Sequence, residues 1–341
     1  MRIVILGAGA LGSILAAHLT RAGEEVTLIA RGQRAQWIEQ HGIAITGLTD
    51  FTVPVTVTVQ PEAVEEADVL IVAVKTYDTE PALQRIRHLA VGSVLSVQNG
   101  VFKNEQLARH FGWEKTLGAT AAFAGGVLPD GVVRLTVNEG LSLGELPAGT
   151  SARVHALAAV LDRAGIPGRA SPQIQTDEWS KYVVFVGLMA VAALTRLETV
   201  KLLTDPALAS VGVMLQREMA QLAARLDIPL GDYGWMRAKT VTSLPFEEAV
   251  ADLQHSGESL EARGATAHKV STLQDLERGR RLEVEEILGY AVRKGTELGV
   301  PLPTVDACYR LLTGINRSLR LWDGLSGICV ICGSCRLSYL R

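Results

Sequence analysis

The opening residues, MRIVILGAGALGSILAAHLTRAGEEVTLIAR, constrain the fold more than any other stretch of the chain. Arg2 to Leu6 is an apolar run long enough for one buried parallel strand and too short for a helix. Gly7-Ala8-Gly9-Ala10-Leu11-Gly12 follows, a G-x-G-x-x-G, and then Ile14, Leu15, Ala17, His18 and Leu19 in helical rhythm. Gly23 suits a helix stop, and Glu25 to Ala30 is a second apolar run. The glycines therefore fall in the first turn of a β-α-β unit. Gly7 permits the tight turn there, Gly9 lets a pyrophosphate approach the backbone, and Gly12 lets helix and strand pack closely. The helix offers its first N–H groups and positive dipole end to the phosphates. A lone G-x-G-x-x-G is weak evidence, but strand, helix and strand in step around it imply dinucleotide binding.

Which dinucleotide is bound is decided at the end of the second strand. An acid there would bond the ribose 2′-OH of NAD and repel a 2′-phosphate. This chain has Ala30-Arg31-Gly32-Gln33-Arg34 instead, with no carboxylate before Glu39. Loop arginines are commonly just solvated charges. At this position a guanidinium can grip the cofactor phosphate with two hydrogen bonds, which implies NADPH/NADP+.

With 341 residues, two domains are expected. A 48% hydrophobic and 20% charged composition supports an ample core, and a net charge of −3 offers no electrostatic footprint for nucleic acid. The N-terminus lacks the charged segment of a signal peptide, and Tyr182 to Thr195 is too short an apolar stretch to span a bilayer. The chain is expected to be cytoplasmic, with no membrane partner.

Ile43–Thr46 and Phe51–Val59 alternate like strands around Gly47. Two buried strands end in polar residues, one at Lys75 and one at Gln98-Asn99-Gly100, where an open α/β sheet puts its ligand contacts. Each also has an ordinary explanation, as a capping lysine and an Asn-Gly turn. From Leu117 to Gly144 the pattern predicts an antiparallel meander turning at Pro129-Asp130-Gly131, and Ser151–Ala164 reads as a helix. Beyond about residue 170 helices are expected over Thr176–Thr195, Pro206–Leu226, Phe246–Leu253, Ser271–Leu298 and Val305–Leu319. The fold class is thus α/β: a Rossmann-type dinucleotide-binding domain over 1–170, then an all-helical substrate domain over 171–320. A tail occupies 321–341. That order places the active site in the cleft between the domains and leaves room for a homodimer.

Thr176-Asp177-Glu178-Trp179-Ser180-Lys181 resembles a helix start with Thr176 as N-cap. Lys181 then leads into an apolar run, so it is a buried lysine near a helix N-terminus. Desolvation and the dipole would both lower its pKa and make it a proton donor near neutral pH. Ser271 with Gln274 fits a capping box. On a helical wheel Glu283 falls at the edge of a stripe formed by Leu273, Leu276, Val284, Ile287, Leu288 and Ala291. Such a carboxylate can pair with Arg280 or line a cleft, and spacing leaves both open.

These residues carry a resemblance. The chain resembles the ketopantoate reductase (2-dehydropantoate 2-reductase) family from Met1 to about Arg320. It does so through the glycine loop, Arg31, Lys75, Asn99-Gly100, Pro129-Asp130-Gly131-Val132-Val133, Trp179-Ser180-Lys181, and Ser271 through Glu283 with Gly289. The resemblance implies NADPH-dependent reduction of a 2-oxo acid to a 2-hydroxy acid, the ketopantoate step of pantothenate biosynthesis. It implies Lys181 as proton donor, Glu283 as an orienting group for both ligands, and Asn99 against nicotinamide and substrate. Ser271 would bind substrate, while Ala8, Ala10, Leu11, Arg31, Lys75 and Ala124 join the three glycines around the cofactor.

The chain departs from the family at two of its substrate contacts. Asparagines usual four and eight residues after the lysine are Phe185 and Met189 here. Phe185 and Met189 can pack but cannot bond a hydroxyl, which predicts weaker use of ketopantoate than of plain apolar 2-oxo acids, unless Asn99, Ser271 or nearby backbone supplies the lost bonds and ketopantoate remains the substrate. A sensor that binds NADP(H) without turnover is disfavoured by the retained Lys181 and Glu283. In the tail, Cys329-x-x-Cys332-x-x-Cys335 has metal-ligand spacing. With a fourth ligand missing and Cys308 distant, no metal is assigned.

Overall fold

A computed structural model describes residues 1–329, with side chains through 319, so Cys332 and Cys335 lie outside the described residues. The strands are β1 (Arg2–Leu6), β2 (Glu25–Ile29), β3 (Ile43–Gly47), β4 (Phe51–Val53), β5 (Thr56–Thr58), β6 (Glu66–Val72), β7 (Ala90–Ser96), β8 (Leu117–Val127), β9 (Val133–Glu145) and β10 (Gly168–Ala170). Helices interleaved with or following them are α1 (Ala10–Arg21), α2 (Gly32–His41), α3 (Thr79–Arg85), α4 (Phe102–Phe111), α5 (Ala152–Arg163) and α6 (Ile174–Thr195). After these come α7 (Thr199–Thr204), α8 (Pro206–Arg225), α9 (Ala238–Ser243), α10 (Phe246–Ala262), α11 (Ser271–Glu277), α12 (Tyr290–Leu298) and α13 (Pro303–Cys329). The chain divides into one unit of Met1–Tyr182 with Ile228–Gly231, and a second of Val183–Asp227 with the chain from Asp232 onward.

In the first unit, parallel strands run in the order β5-β2-β1-β6-β7. Alternation in β1 sends Ile3 and Ile5 into one core and Val4 and Leu6 into another, which is why the run is apolar throughout. Strand order reverses between β1 and β6, and that switch point is where an open parallel sheet binds ligands. A second sheet runs β10-β9-β3-β4, with β8 antiparallel to β9. The expected turn joins β8 to β9: Leu128 donates to the Val132 carbonyl at 2.8 Å, and Gly131 takes φ +84°. The alternating stretch expected over Phe51–Val59 is interrupted. Its first half, β4, pairs with β3, and after Pro54 its second half, β5, joins β2.

Two local expectations are corrected. Thr176 is not an N-cap, because α6 begins at Ile174 and the Thr176 carbonyl accepts from Ser180 Oγ. Ser271–Leu298 is not one helix either. At Gly279, with φ +64°, the chain turns out of α11: Gly279 donates to the Leu276 carbonyl and Arg280 to that of Asp275. This is a left-handed glycine stop of the Schellman kind. Helical structure resumes only at Val284, through a π-helical turn over Glu285–Gly289. The apolar stripe read from Leu273 to Ala291 therefore belongs to two separate helices. Among the described residues, α6 is the one helix long and apolar enough to cross a membrane by length and composition. Its apolar window is 78% buried within the protein, as for a core helix.

Candidate active site

The glycine loop follows β1 at the switch point. Gly7 takes φ +116° and donates to the Ile29 carbonyl at 3.0 Å. A Cβ on Gly7 would stand 2.8 Å from the Val74 backbone nitrogen, and one on Gly12 only 1.9 Å from the Gly7 carbonyl oxygen. Both glycines are required by close packing. Gly9 differs: it is the exposed N-cap of α1, and a Cβ there would meet only the Ala73 carbonyl at 3.9 Å. No side chain caps α1 and no acid occupies its first turn, so its leading N–H groups suit a pyrophosphate. The cradle fits the dinucleotide that the sequence implied.

The two arginines after β2 do different things. Arg31 is 82% exposed, and its guanidinium pairs with Asp78 at 2.5 Å. Arg34 is anchored, donating to Gly131 O at 2.7 Å, Ser13 Oγ at 3.2 Å and Ala8 O at 3.4 Å. It braces the glycine loop against the β8–β9 turn. Lys75 stands three residues beyond β6, half-buried, where its carbonyl accepts from the Asp78 amide.

Past β7, Gln98 is buried and ties the two strand ends together: its Nε2 donates to Val74 O and Thr79 Oγ1, each at 2.7 Å. Asn99 is half-buried beside it, and Gly100 takes φ +81° to complete the turn. Ala124 lies on β8, half-buried, where its pairing with β9 slips between Ala124 and Gly125.

Lys181 projects from α6 onto β8, donating to Ala121 O at 2.7 Å. That carbonyl borders an irregularity in the β8–β9 ladder between Ala121 and Phe123, a bulge of the kind that re-aims backbone groups near sites. The side chain is half-buried. Burial, the nearby Lys103 ammonium and, in opposition, the Glu178 carboxylate bring its pKa to about 8 from an ordinary 10.5. Farther along the helix Phe185 is half-buried, while Met189 is 0% exposed and packs wholly within the protein.

Lys103 and Glu178 gave no sequence signal as a pair. Lys103, in the first turn of α4, is 3% exposed and lies 3.3 Å from the 2%-exposed Glu178. It also donates to the carbonyls of Ala119 at 2.5 Å and of Ser96 and Gln98 at 3.1 Å each. Glu178 accepts from the Ala119 amide at 2.9 Å and from Asn104 Nδ2 at 2.6 Å. A lysine just after Asn-Gly reads as surface, and an acid at a helix start reads as dipole compensation. Only the tertiary pairing reveals them.

In the second unit Ser271 is the first residue of α11 and half-buried. The expected capping box is absent there, since Val270 is the N-cap and Gln274 Nε2 donates to Lys269 O at 2.9 Å. Glu283 is 7% exposed and sits in the connector before the π-helical turn, not on a helix. Its neighbour Leu282 is pinned through backbone N–H and carbonyl to the Asn316 side-chain amide, at 2.9 and 3.3 Å. Among the described residues no group of three His, Cys, Asp or Glu side chains could hold a metal ion.

The family model for ketopantoate reductase PanE/ApbA matches residues 3–148, and that for the ketopantoate reductase PanE/ApbA C-terminal region matches residues 173–316. The 2-dehydropantoate 2-reductase of Archaeoglobus fulgidus is 32% identical over 319 residues, covering 93% of this chain and 99% of that protein. The protein of the same description from Pyrococcus abyssi is 28% identical over 320 residues, covering 92% and 97%. A crystal structure of a PanE/ApbA family ketopantoate reductase from Ralstonia eutropha JMP134 superposes with a TM-score of 0.80 at 28% identity, covering 94% of this chain and 100% of that one.

Proposed function

The chain belongs to the ketopantoate reductase family, and from that premise we propose that it reduces ketopantoate to pantoate with NADPH, as a step of pantothenate biosynthesis. NADPH, when bound, supplies the hydride to the carbonyl carbon. The observation that carries this reading is Lys181: a half-buried ammonium, held by one backbone carbonyl, with a pKa of about 8. It gives a proton to the developing alkoxide oxygen, and its remaining hydrogens can hold the substrate carbonyl beforehand. Asn99 and Ser271 bind the substrate and Glu283 orients the ligands. Gly7, Ala8, Gly9, Ala10, Leu11, Gly12, Lys75 and Ala124 take the cofactor. In this reading Asn99 or Ser271 serves the 4-hydroxyl of ketopantoate, and the full burial of Met189, which gives it a packing role, supports that. Steady-state kinetics with NADPH on ketopantoate, its 4-deoxy analogue and unbranched 2-oxo acids test this. Ketopantoate should have the highest kcat/KM, and an unbranched acid outperforming it would overturn the assignment.

Proton donation fixes the sign of the pH dependence. Reduction needs Lys181 protonated, so kcat/KM in that direction should hold below about pH 8 and fall above it. Pantoate oxidation needs the neutral amine and should rise through the same pH. A reduction profile that climbs through this range would remove Lys181 from the proton-donor role.

Arg31 supports the preference for NADPH. Its exposed guanidinium can exchange Asp78 for the 2′-phosphate, whereas Arg34 is held by the loop it braces. A charge-assisted contact of about 1.5–3 kcal/mol corresponds to roughly ten- to a hundredfold. Arg31→Ala is expected to lower the NADPH-over-NADH ratio of kcat/KM by that factor, and an unchanged ratio would place the preference elsewhere.

A further inference from the structure

The buried pair beside Lys181 has a place in the same chemistry. Strand β8 presents an edge to α4 and α6: the Ala119 amide and carbonyl are taken by Glu178 and Lys103, and the Ala121 carbonyl by Lys181. Successive residues of a strand alternate in direction, so residues two apart address the same side. Glu178 and Lys181, three apart on α6, share a helix face. Lys103 adds a third anchor, because its bonds to Ser96 and Gln98 hold the strand end from which Asn99 projects.

Burial lowers the Lys103 pKa and raises that of Glu178, each opposed by the other's charge. Hydrogen bonding decides the ionisation. Lys103 faces three carbonyls and a carboxylate, all acceptors, which suits an ammonium with three hydrogens and opposes a neutral amine with two hydrogens and a lone pair. Glu178 receives donors from Ala119, Asn104 and Lys103, which is the surrounding of a carboxylate.

Resting on the reductase reading above, we propose that Lys103 and Glu178 are a positioning pair for the proton-donating Lys181. They lock the Asn99 turn, β8 and α6 into one frame and set the electrostatic field at the Lys181 ammonium. Within the first unit, the charged groups acting on that ammonium are Lys103 from α4 and Glu178 from its own helix. Strand β8 offers it a backbone carbonyl, and Asp177 is engaged by Ser171 Oγ at 2.6 Å. Lys103 disfavours the proton on Lys181 and Glu178 favours it, with the like charge having the larger effect.

The test is an NMR titration of the lysine side chains in the free, full-length protein, with the Lys181 signal assigned by its loss in Lys181→Ala. Glu178→Gln should move the Lys181 midpoint down and Lys103→Met should move it up, each by about one pH unit. The double variant Lys103→Met/Glu178→Gln leaves no buried charge unpaired and keeps the experiment available if a single variant does not fold. Its midpoint should lie above wild type. Shifts in one common direction for the single variants, or an unmoved midpoint in the double variant, would reduce the pair to a structural ion pair and overturn the proposal. The titration needs no substrate. Failure of the reductase reading would appear separately, as absence of NADPH-dependent turnover on 2-oxo acids.

Discussion

Lys181→Ala is expected to lower kcat for ketopantoate reduction by about 10²–10⁴ while the protein folds and still binds NADPH. This range is the usual contribution of a positioned general acid. The side chain donates to Ala121 O and is half-buried, so its removal leaves that β8 carbonyl without this donor and opens no void in the deep core. The glycine loop and Arg31 are untouched, so cofactor affinity should stay near wild type. Arginine at this position should not rescue the rate, because a guanidinium stays protonated and is a poor acid near neutral pH. Single-turnover rates and NADPH fluorescence titrations separate the two effects. A variant with near-normal kcat would make Lys181 an ordinary core-edge lysine.

The second large effect is on stability. Lys103→Met should destabilise the protein by about 3–5 kcal/mol, the usual consequence of breaking a buried ion pair from one side. It orphans the carbonyls of Ser96, Gln98 and Ala119 as well as the Glu178 carboxylate. The loss should depend on pH in a defined direction. Burial already raises the Glu178 pKa with Lys103 beside it, and removing the cation raises it further above the unfolded value. Such a carboxyl contributes stability at low pH and loses it as pH rises through the folded value. The deficit should therefore shrink in acid and be complete at neutral pH. Lys103→Met/Glu178→Gln should recover part of it, since the two substitutions share one interaction and do not add. Urea unfolding at acid and neutral pH measures both. Equal deficits at the two pH values would mean that Glu178 is not left charged and unpaired.

What could be read from the chain was whatever local spacing encodes. The glycine loop, the double-faced burial of β1, the Pro129-Asp130-Gly131 turn and the apolar length of α6 each appear where the periodicity puts them. Local spacing misleads where a period runs on by coincidence. Leu273 and Leu276 are in phase with Val284 and Ile287, so the pattern hides the stop at Gly279 and extends a helix over Glu283, which in fact precedes one. Thr176 and Ser271 looked like caps because of their residue type, yet helix geometry gave them other positions. The Lys103–Glu178 pair joins residues far apart in the chain, and no window of sequence holds both. Arg31 and Arg34 were indistinguishable by type and differ only in what the fold brings to them.

That difference between the two arginines bears on how cofactor choice can evolve or be redesigned. They stand three residues apart in the chain, yet one is an exposed charge proposed for recognition and the other is part of the architecture. Arg34 fastens the glycine loop to a hairpin turn far along the chain, so drift at this site would loosen the phosphate cradle itself. Arg31 is 82% exposed and pairs with Asp78 at the surface, so it can vary with little disturbance to the scaffold. Switching between the two nicotinamide dinucleotides is therefore open to single substitutions at the strand end, while the machinery common to both cofactors is insulated from that change.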